Sequence, residues 1–231
     1  MAGKIPALYP IIDASLVKRS TPGALEMAAR DVLAGLAGQP AGIIQLRAKE
    51  TGSAEFLGLA RILRRICRNA TFIVNDRVDV ALLAGADGVH LGQEDIPAQA
   101  ARRLLGRGKI IGLSTHNIEE AREAEKLARK GLVDYISFGP VFRTGTKKDA
   151  RPPVGIAGLK KARKIVTFPL VAIGGINRDN MPWAIGAGAD SVAIISAILG
   201  AKDIRSETKT LVERLSGLSP HPVGAASRPS R

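Results

Sequence analysis

Residues 71–92 read TFIVNDRVDVALLAGADGVHLG, in which two short apolar segments stand on either side of a helical pattern. Each apolar segment ends in polar or glycine residues, which is typical of a buried parallel strand. Gly85 can end the intervening helix before a short turn through Ala86 and Asp87 into the second strand. This stretch therefore predicts one strand–helix–strand unit.

The same unit recurs along the chain, and its turn is repeated at Gly131 with Asp134 and at Gly188 with Asp190. The apolar segments are residues 7–13, 41–47, 71–76, 88–92, 109–114, 135–141, 168–175 and 191–197. Alternation of strand and helix over all of these segments is typical of parallel βαβ units, and their number predicts closure. We therefore predict an α/β fold, a single (β/α)8 TIM barrel with parallel strands.

The length and composition of the chain agree with one such domain. The chain has 231 residues, of which 45% are hydrophobic, and a typical barrel of this kind has roughly 250 residues. We predict that residues 1–216 form the catalytic barrel. Residues 217–231 are rich in Ser, Pro and Gly and lack periodicity, so we predict that they form a disordered tail.

The chain shows no sign of secretion or of membrane insertion. Its one cysteine, Cys67, lies in a helical apolar pattern, which excludes an internal disulfide framework and fits a reducing compartment. No apolar run approaches the roughly 18 residues of a membrane span, and residues 1–6 do not resemble a signal peptide. We therefore predict a cytoplasmic protein with no membrane partner.

The charge balance leaves two classes of partner to compare. The 34 basic and 21 acidic residues give a net charge of +13, which would suit a protein that binds nucleic acid. However, many basic residues recur at helical spacing, as on a solvated outer face, and few aromatic residues are present for base stacking. We therefore expect small anionic substrates rather than nucleic acid, and we keep a basic nucleic-acid-binding protein as an alternative.

Polar residues gather where the predicted strands end, and in a barrel of this kind the carboxyl ends of the strands form the active site. The second strand ends with Gln45, Arg47 and Lys49 in alternate positions, so these three side chains share one face. Two cations and an amide therefore converge at this rim, although isolated cations there would also be interpreted as solvated charges.

Carboxylates follow the third and fourth strands, at Asp76 and Asp95. Oxygen ligands of this kind suit Mg²⁺, which typically takes one or two carboxylates together with water and phosphate oxygens. Two structural interpretations are also open. Asp76 could pair with Arg77 or form a hydrogen bond within its loop, and Asp95 could cap a helix that begins near Pro97.

The remaining strand ends suggest a binding site for a phosphate group. The loop after the sixth strand contains Thr144, Thr146 and Lys147, which could wrap a phosphate or form a mobile lid. The seventh strand ends at Gly175, where glycine could instead serve close packing, and the eighth ends at Ile195 and Ser196 before a short extra helix. Together, these ends predict a site for two phosphorylated substrates.

At these residues the sequence resembles the thiamine phosphate synthase family, from about Leu8 to Leu199. The matching stretches are IIQLRAKE (43–50), IVNDRVDVALLAGADGVHLGQED (73–95), IGLSTHN (111–117), ISFGPVFRTGTKKDA (136–150), VAIGGI (171–176) and SVAIISAI (191–198). The resemblance implies a transferase that condenses 4-amino-2-methyl-5-(diphosphomethyl)pyrimidine with a thiazole phosphate. The products would be thiamine phosphate and pyrophosphate.

The resemblance also implies roles for individual residues on the pyrimidine side. Gln45 would contact the aminopyrimidine, and Asp76 and Asp95 would hold Mg²⁺. The residues that would face the pyrophosphate are Arg47, Lys49, Asn75, Ser114 and Lys147. Of these, Arg47, Lys49 and Lys147 would be catalytic, because their charges would stabilise the departing pyrophosphate.

On the other side of the site, the resemblance implies a cradle for the thiazole phosphate. Its members would be Thr144, Thr146, Gly175, Ile195 and Ser196. The thiazole nitrogen has its own lone pair, so no protein base is required. We accordingly expect His116 to be a loop residue that contacts solvent or Asn117, and His90 to be a satisfied polar group inside the barrel.

The nearest alternative is a thiazole tautomerase-like isomerase on the same barrel, which would need no pyrophosphate clamp. Another phosphate-binding barrel, of sugar or tryptophan metabolism, would explain only the last two strand ends. The cations of the second strand and the paired carboxylates favour the synthase. The sequence leaves open whether the chain forms a homo-oligomer.

Overall fold

The computed structural model describes residues 5–17, 23–38, 42–145 and 151–218. Within these residues, the strands are β1 (Leu8–Asp13), β2 (Gly42–Arg47), β3 (Ala70–Asn75), β4 (Gly88–Leu91), β5 (Ile110–Thr115), β6 (Tyr135–Phe138), β7 (Leu170–Ile173) and β8 (Ser191–Ile194). The helices are α1 (Ala24–Gly35), α2 (Ser53–Ile66), α3 (Val78–Leu83), α4 (Ala98–Leu105), α5 (Ile118–Arg129), α6 (Gly155–Ile165), α7 (Met181–Gly186), α8 (Ser196–Leu199) and α9 (Ile204–Ser216).

The strands form a closed parallel barrel in chain order, with β1 paired to both β2 and β8. The closing pair aligns Leu8 with Val192 and Pro10 with Ile194. This closure confirms the predicted (β/α)8 barrel. The strands β6, β7 and β8 are each shorter than predicted. β6 ends before Gly139 and Pro140, because Pro140 has no N–H group to give to the ladder, and β8 ends where the short helix α8 begins.

Alternate strand residues serve two separate apolar cores, as the period of two requires. The larger core lies between the sheet and the helices and includes Ile44, Leu46 and Phe72. The smaller core fills the barrel interior, and its buried members are Tyr9, Ile11, Ile43, Ile73, Tyr135, Val171, Ala193 and Ile195. The predicted alternation in β2 is therefore confirmed, since Ile44 and Leu46 belong to the outer core.

The predicted glycine turns tie helices to strands at the amino-terminal rim. Asp134 accepts hydrogen bonds from the Ile111 N–H at 2.8 Å and from Arg102 at 2.6 Å. Arg102 also donates to the carbonyl oxygens of Gly106 and Lys109, which follow α4. The same arrangement, an Asp–Arg clamp, joins Asp87 to Arg64 and the Phe72 N–H, and Asp190 to Arg163 and the Leu170 N–H.

The helix α9 ends at Ser216, and from residue 219 onward the predicted tail lies outside the described residues. In the part of the chain that the structure describes, no helix combines the length and the apolar character needed to cross a bilayer.

Candidate active site

A cavity of about 230 Å³ opens at the carboxyl ends of the strands. All of the predicted site residues that the structure describes line it. They are Gln45, Arg47, Lys49, Asn75, Asp76, Asp95, Ser114, Thr144, Gly175, Ile195 and Ser196. The other two, Thr146 and Lys147, lie outside the described residues. The barrel therefore brings together side chains that are up to 151 positions apart, from Gln45 to Ser196.

Arg47 is held in place by a carboxylate that the sequence did not single out. Asp13 ends β1, is the register partner of Arg47 at the end of β2, and forms an ion pair with its guanidinium. Asp13 is fully buried and also accepts hydrogen bonds from the N–H and the hydroxyl of Ser15, at 3.0 and 2.7 Å. Asp13 is thus held in one position by burial and by Ser15, and it holds the Arg47 side chain, which lines the cavity.

The two predicted metal ligands lie side by side. Burial, followed by the hydrogen bond and the negative charge of Asp95, raises the pKa of Asp76 to about 6, while Lys49 and Arg47 oppose this shift. Lys49 Nζ lies 3.7 Å from Asp76 Oδ2. Asp76 also adopts a left-handed backbone conformation, with a φ of 63°, and such strain tends to occur at functional sites.

Neither the pairing of Asp76 with Arg77 nor helix capping by Asp95 agrees with the contacts, whereas Asp76 does form a hydrogen bond with Asp95 in the adjacent loop. Arg77 forms its ion pair with Asp79 rather than with Asp76. The N-cap of α4 is Pro97, and Asp95 Oδ2 instead accepts a hydrogen bond from the Gly92 N–H at 2.6 Å. Both carboxylates are thus turned to the cavity rim rather than to the neighbouring helix.

The donor set of this carboxylate pair fits a hard divalent cation. Asp76 and Asp95 would supply two oxygen ligands, and a cation between them would offset the burial and the repulsion that raise the pKa of Asp76. No group of three or more His, Cys, Asp or Glu side chains within the described ranges could hold a metal ion. The remaining positions would fall to water and phosphate oxygens, which is the usual arrangement for Mg²⁺.

The histidines near the cavity differ in how well they were anticipated. His90 is satisfied inside the barrel, as predicted, because its ring nitrogens lie 2.8 Å from Tyr135 Oη and from Ser114 Oγ. His116 is a partly exposed loop residue, as predicted, but its hydrogen bonds do not go to Asn117. Its Nδ1 and its backbone N–H bond instead to Glu120 Oε2, at 2.9 and 2.8 Å.

Glu120 joins the start of α5 to the chain that follows the loop after β6. Its other oxygen accepts from the Asn117 side chain at 2.8 Å and from Arg151 at 3.1 Å. Burial alone would raise the pKa of Glu120, but the bonds from His116 and the charge of Arg151 outweigh it, so the pKa is lowered. Arg151 lines the cavity and was missed, since nothing in the sequence separates it from the other basic residues.

The side of the cavity that follows β7 depends on two glycines with positive φ, Gly174 and Gly175. A Cβ on Gly174 would lie 2.4 Å from Pro140, and one on Gly175 would lie 2.3 Å from the Arg143 carbonyl oxygen. The glycines therefore serve close packing, the alternative interpretation, and at the same time line the cavity. The helix α8 begins with Ser196, which lines the same cavity after β8.

Comparison with protein families and with curated proteins places the relatives of this chain in one family. Residues 8–198 match the family described as thiamine monophosphate synthase. A thiamine-phosphate synthase from Moorella thermoacetica is 49% identical over 172 residues, which cover 74% of this chain and 80% of that protein. Another, from Syntrophomonas wolfei, is 44% identical over 207 residues, which cover 89% of this chain and 94% of that protein.

Comparison with solved structures also finds proteins of similar fold. A thiamine phosphate pyrophosphorylase from Pyrococcus furiosus aligns with a TM-score of 0.77 and 39% identity, over 94% of this chain and 99% of that chain. The 3-hexulose-6-phosphate synthase from Salmonella typhimurium aligns with a TM-score of 0.68 over 92% of this chain and 100% of that one. Its identity is 18%, so this second likeness concerns the fold alone.

Proposed function

Because this chain belongs to the thiamine monophosphate synthase family, it condenses a pyrimidine pyrophosphate with a thiazole phosphate, and we propose that it does so by magnesium-assisted departure of pyrophosphate. The observation that carries this proposal is the meeting of opposite charges at one rim. Arg47, Lys49, Asp76 and Asp95 line the same cavity. The enzyme would accordingly be a transferase of an alkyl group.

The cations at and just after the end of β2, Arg47 and Lys49, stabilise the leaving group. Negative charge grows on the pyrophosphate as the bond to the pyrimidine methylene breaks, and groups already aimed at that charge lower the barrier. Arg47 is prearranged for this task by its buried ion pair with Asp13. Lys147, from the loop after β6, is the third cation of the proposal.

Asp76 and Asp95 would hold the magnesium ion. When bound, the ion would neutralise charge on the pyrophosphate oxygens, which is the role of a Lewis acid in such reactions. Lys49, 3.7 Å from Asp76, would then be close to both the carboxylate and the leaving group. Asn75 on β3 and Ser114 on β5, which stand on either side of β4, would complete the contacts to the leaving group.

The acceptor needs alignment rather than a base. The thiazole nitrogen carries a lone pair, so the carbon–nitrogen bond can form without proton transfer, and holding the two substrates together is the remaining contribution. Thr144, Gly175, Ile195 and Ser196 line the opposite side of the cavity, where they would hold the thiazole phosphate. Thr146 would join them from the loop.

The alternative functions do not account for the whole site. A tautomerase-like isomerase, which handles one phosphate, would have no use for the carboxylate pair beside Arg47 and Lys49. A nucleic-acid-binding protein would bind with an affinity that falls steeply with salt and ignores Mg²⁺. The cytoplasmic location, the lack of a nucleic-acid partner and a homo-oligomeric state stay predictions.

The test is release of pyrophosphate from both phosphorylated substrates, with Mg²⁺ and with a chelator. We expect release only when both substrates and Mg²⁺ are present. Asp76→Ala and Asp95→Ala should each slow it by at least about a hundredfold, because lost metal binding removes several kcal/mol of charge stabilisation.

The matched control is Asp79→Ala. Asp79 is an exposed carboxylate on the neighbouring helix α3, paired with Arg77, so its removal should leave turnover unchanged. Full activity in both Asp76→Ala and Asp95→Ala, or undiminished release with the chelator, would contradict the metal assignment.

A further inference from the structure

Beneath the cavity, five polar side chains form one continuous line across the barrel interior. Gln45 Nε2 donates to Tyr9 Oη at 2.9 Å, and Tyr9 Oη lies 2.8 Å from Tyr135 Oη. Tyr135 Oη lies 2.8 Å from His90 Nδ1, and His90 Nε2 lies 2.8 Å from Ser114 Oγ. We call these residues the cross-barrel chain. Its two ends, Gln45 and Ser114, both line the cavity, and so does His90.

Water has little access to the middle of this chain. Tyr9, Tyr135 and His90 are 1%, 2% and 6% exposed. Burial is the main cause that raises the pKa of both phenols, so each keeps its proton and has one O–H to donate. In such a setting, every proton position is decided by its neighbours in the chain.

The direction of the bonds follows from the first link. An amide nitrogen can only donate, so Tyr9 Oη accepts from Gln45 and passes its own proton to Tyr135. Tyr135 must then donate to His90 Nδ1, which places the histidine proton on Nε2. That proton points to Ser114 Oγ, so Ser114 has its own hydroxyl proton to give to the cavity. Ser137 Oγ lies alongside at longer distances, 3.4 Å from His90 Nε2 and 3.5 Å from Ser114 Oγ.

If the hydrogen bonds ran in the opposite direction, donors and acceptors facing the cavity would be exchanged. If the Gln45 amide turned over, its oxygen would accept from Tyr9, and every later bond would reverse as well. Ser114 would donate to His90 and present only lone pairs to the cavity, where they would repel a phosphate oxygen. Gln45 would present N–H groups, which would repel an amino group on a substrate ring.

A glycine on β5 leaves room for the central bond. A Cβ on Gly112 would lie 2.1 Å from Tyr135 Cζ and 2.5 Å from His90 Nδ1. Any larger residue at position 112 would separate the two rings, so the barrel wall is shaped around this contact.

We propose that Tyr9, Tyr135 and His90 are positioning residues that fix the polarity of both substrate contacts through the cross-barrel chain. Gln45 is held as an acceptor for a ring amino group, and Ser114 is held as a donor to a phosphate oxygen. The substrate part of this statement rests on the proposed function. The orientation of the chain belongs to the protein alone.

The first test reads the histidine tautomer directly. Two-bond ¹H–¹⁵N spectra of histidine-labelled protein without substrates, at pH 8, should show His90 protonated on Nε2 alone. The chain has three histidines, so His116→Gln and His221→Gln variants assign the signals. A proton on Nδ1 would overturn the proposal.

The second test reverses the chain from its far end. In Gln45→Glu, the carboxylate can only accept, so Tyr9 must donate to it and His90 must move its proton to Nδ1. A residue that merely fills space at position 45 would not move a proton on a side chain that it does not touch. Retention of the Nε2 tautomer in this variant would contradict an oriented chain.

The third test is kinetic. Tyr9→Phe removes the acceptor that holds Gln45 and should raise the KM for the pyrimidine pyrophosphate roughly tenfold, the effect of one lost buried hydrogen bond. The kcat should change less than about threefold, because the groups at the leaving group stay in place. An unchanged KM would count against the proposal.

Ser191→Ala is the matched control, since Ser191 Oγ is buried and bonds to none of the described residues. Its removal should alter neither KM nor kcat. The two spectroscopic tests need no turnover, so their failure would leave the proposed function standing. Failure of pyrophosphate release would likewise leave the tautomer readable.

Discussion

Asp13 shows how a residue outside the expected set can control one within it. Its carboxylate is fully buried, and it pairs with the guanidinium of Arg47, a residue whose side chain is only 10% exposed. Loss of one partner from such a pair leaves an uncompensated charge away from water, which is far more costly than loss of a surface pair.

Asp13→Ala should therefore lower the free energy of unfolding by about 3–5 kcal/mol. It should also raise the KM for the pyrimidine pyrophosphate, because Arg47 loses its fixed direction. Urea denaturation and steady-state kinetics measure the two effects. The control is Asp79→Ala, whose exposed pair with Arg77 should be worth less than about 1 kcal/mol. Equal losses of stability in the two variants would show that the buried pair is not special.

Cys67 has a buried thiol whose chemistry is suppressed by its surroundings. Burial is the main cause that raises the pKa of Cys67 to about 12, and the side chain is fully buried at the end of α2. Because the thiolate is the reactive form, we expect no reaction with an aromatic disulfide reagent at pH 8 in the folded protein. The same reagent should titrate one thiol per chain in urea. Fast labelling without denaturant would refute this expectation.

At the scale of secondary-structure elements, the strand ends were the most predictable part of the site. The period of two in β2 separates Gln45 and Arg47 from Ile44 and Leu46, and the structure keeps this separation. Asp13 could not be identified in the same way, because its role depends on the register of β1 against β2. The contact of Glu120 with Arg151 also escaped, since it joins α5 to a segment 31 positions away.

The Asp–Arg clamps belong to the same scale, since each fixes the end of a helix to the start of a strand. Asp134→Ala would remove the acceptor of the Ile111 N–H and the only carboxylate that pairs with the buried Arg102 within the described residues. We expect the free energy of unfolding to fall by about 2 kcal/mol, the usual range for such orphaned groups. The kcat should stay within about twofold, because this rim lies opposite the cavity.

Chemical denaturation and turnover of Asp134→Ala measure the two quantities separately. Asp87→Ala and Asp190→Ala should behave in the same way, because each carboxylate also binds one arginine and one backbone N–H group of a strand. A large loss of kcat at unchanged stability would mean that the clamps take part in catalysis.

At the scale of the whole molecule, the excess of positive charge should favour anionic substrates. The net charge of +13 creates a field that attracts them, and added salt screens that field. We expect kcat/KM for the pyrimidine pyrophosphate to fall several-fold between about 0.05 and 0.5 M salt, with kcat little changed. Steady-state kinetics at constant free Mg²⁺ would measure this. An unchanged kcat/KM would show that the field contributes nothing to capture.

The whole barrel was predictable because its repeat is local, whereas the cross-barrel chain was not. Each strand can be recognised from a few consecutive apolar residues, and the number of strands predicts that the barrel closes. The line from Gln45 to Ser114 exists only after closure, since Tyr9 and Tyr135 are 126 positions apart in sequence and meet in the interior. His90 was expected to be satisfied, but its partners depend on which strands face each other.

The three Asp–Arg clamps lie on alternate turns, before β4, β6 and β8. The fastening of helices to strands is thus concentrated at the end of the barrel away from the chemistry. A library that randomises the cavity wall while sparing these carboxylates should therefore retain a high proportion of folded members. The molecule offers a ready scaffold for directed evolution toward other acceptors.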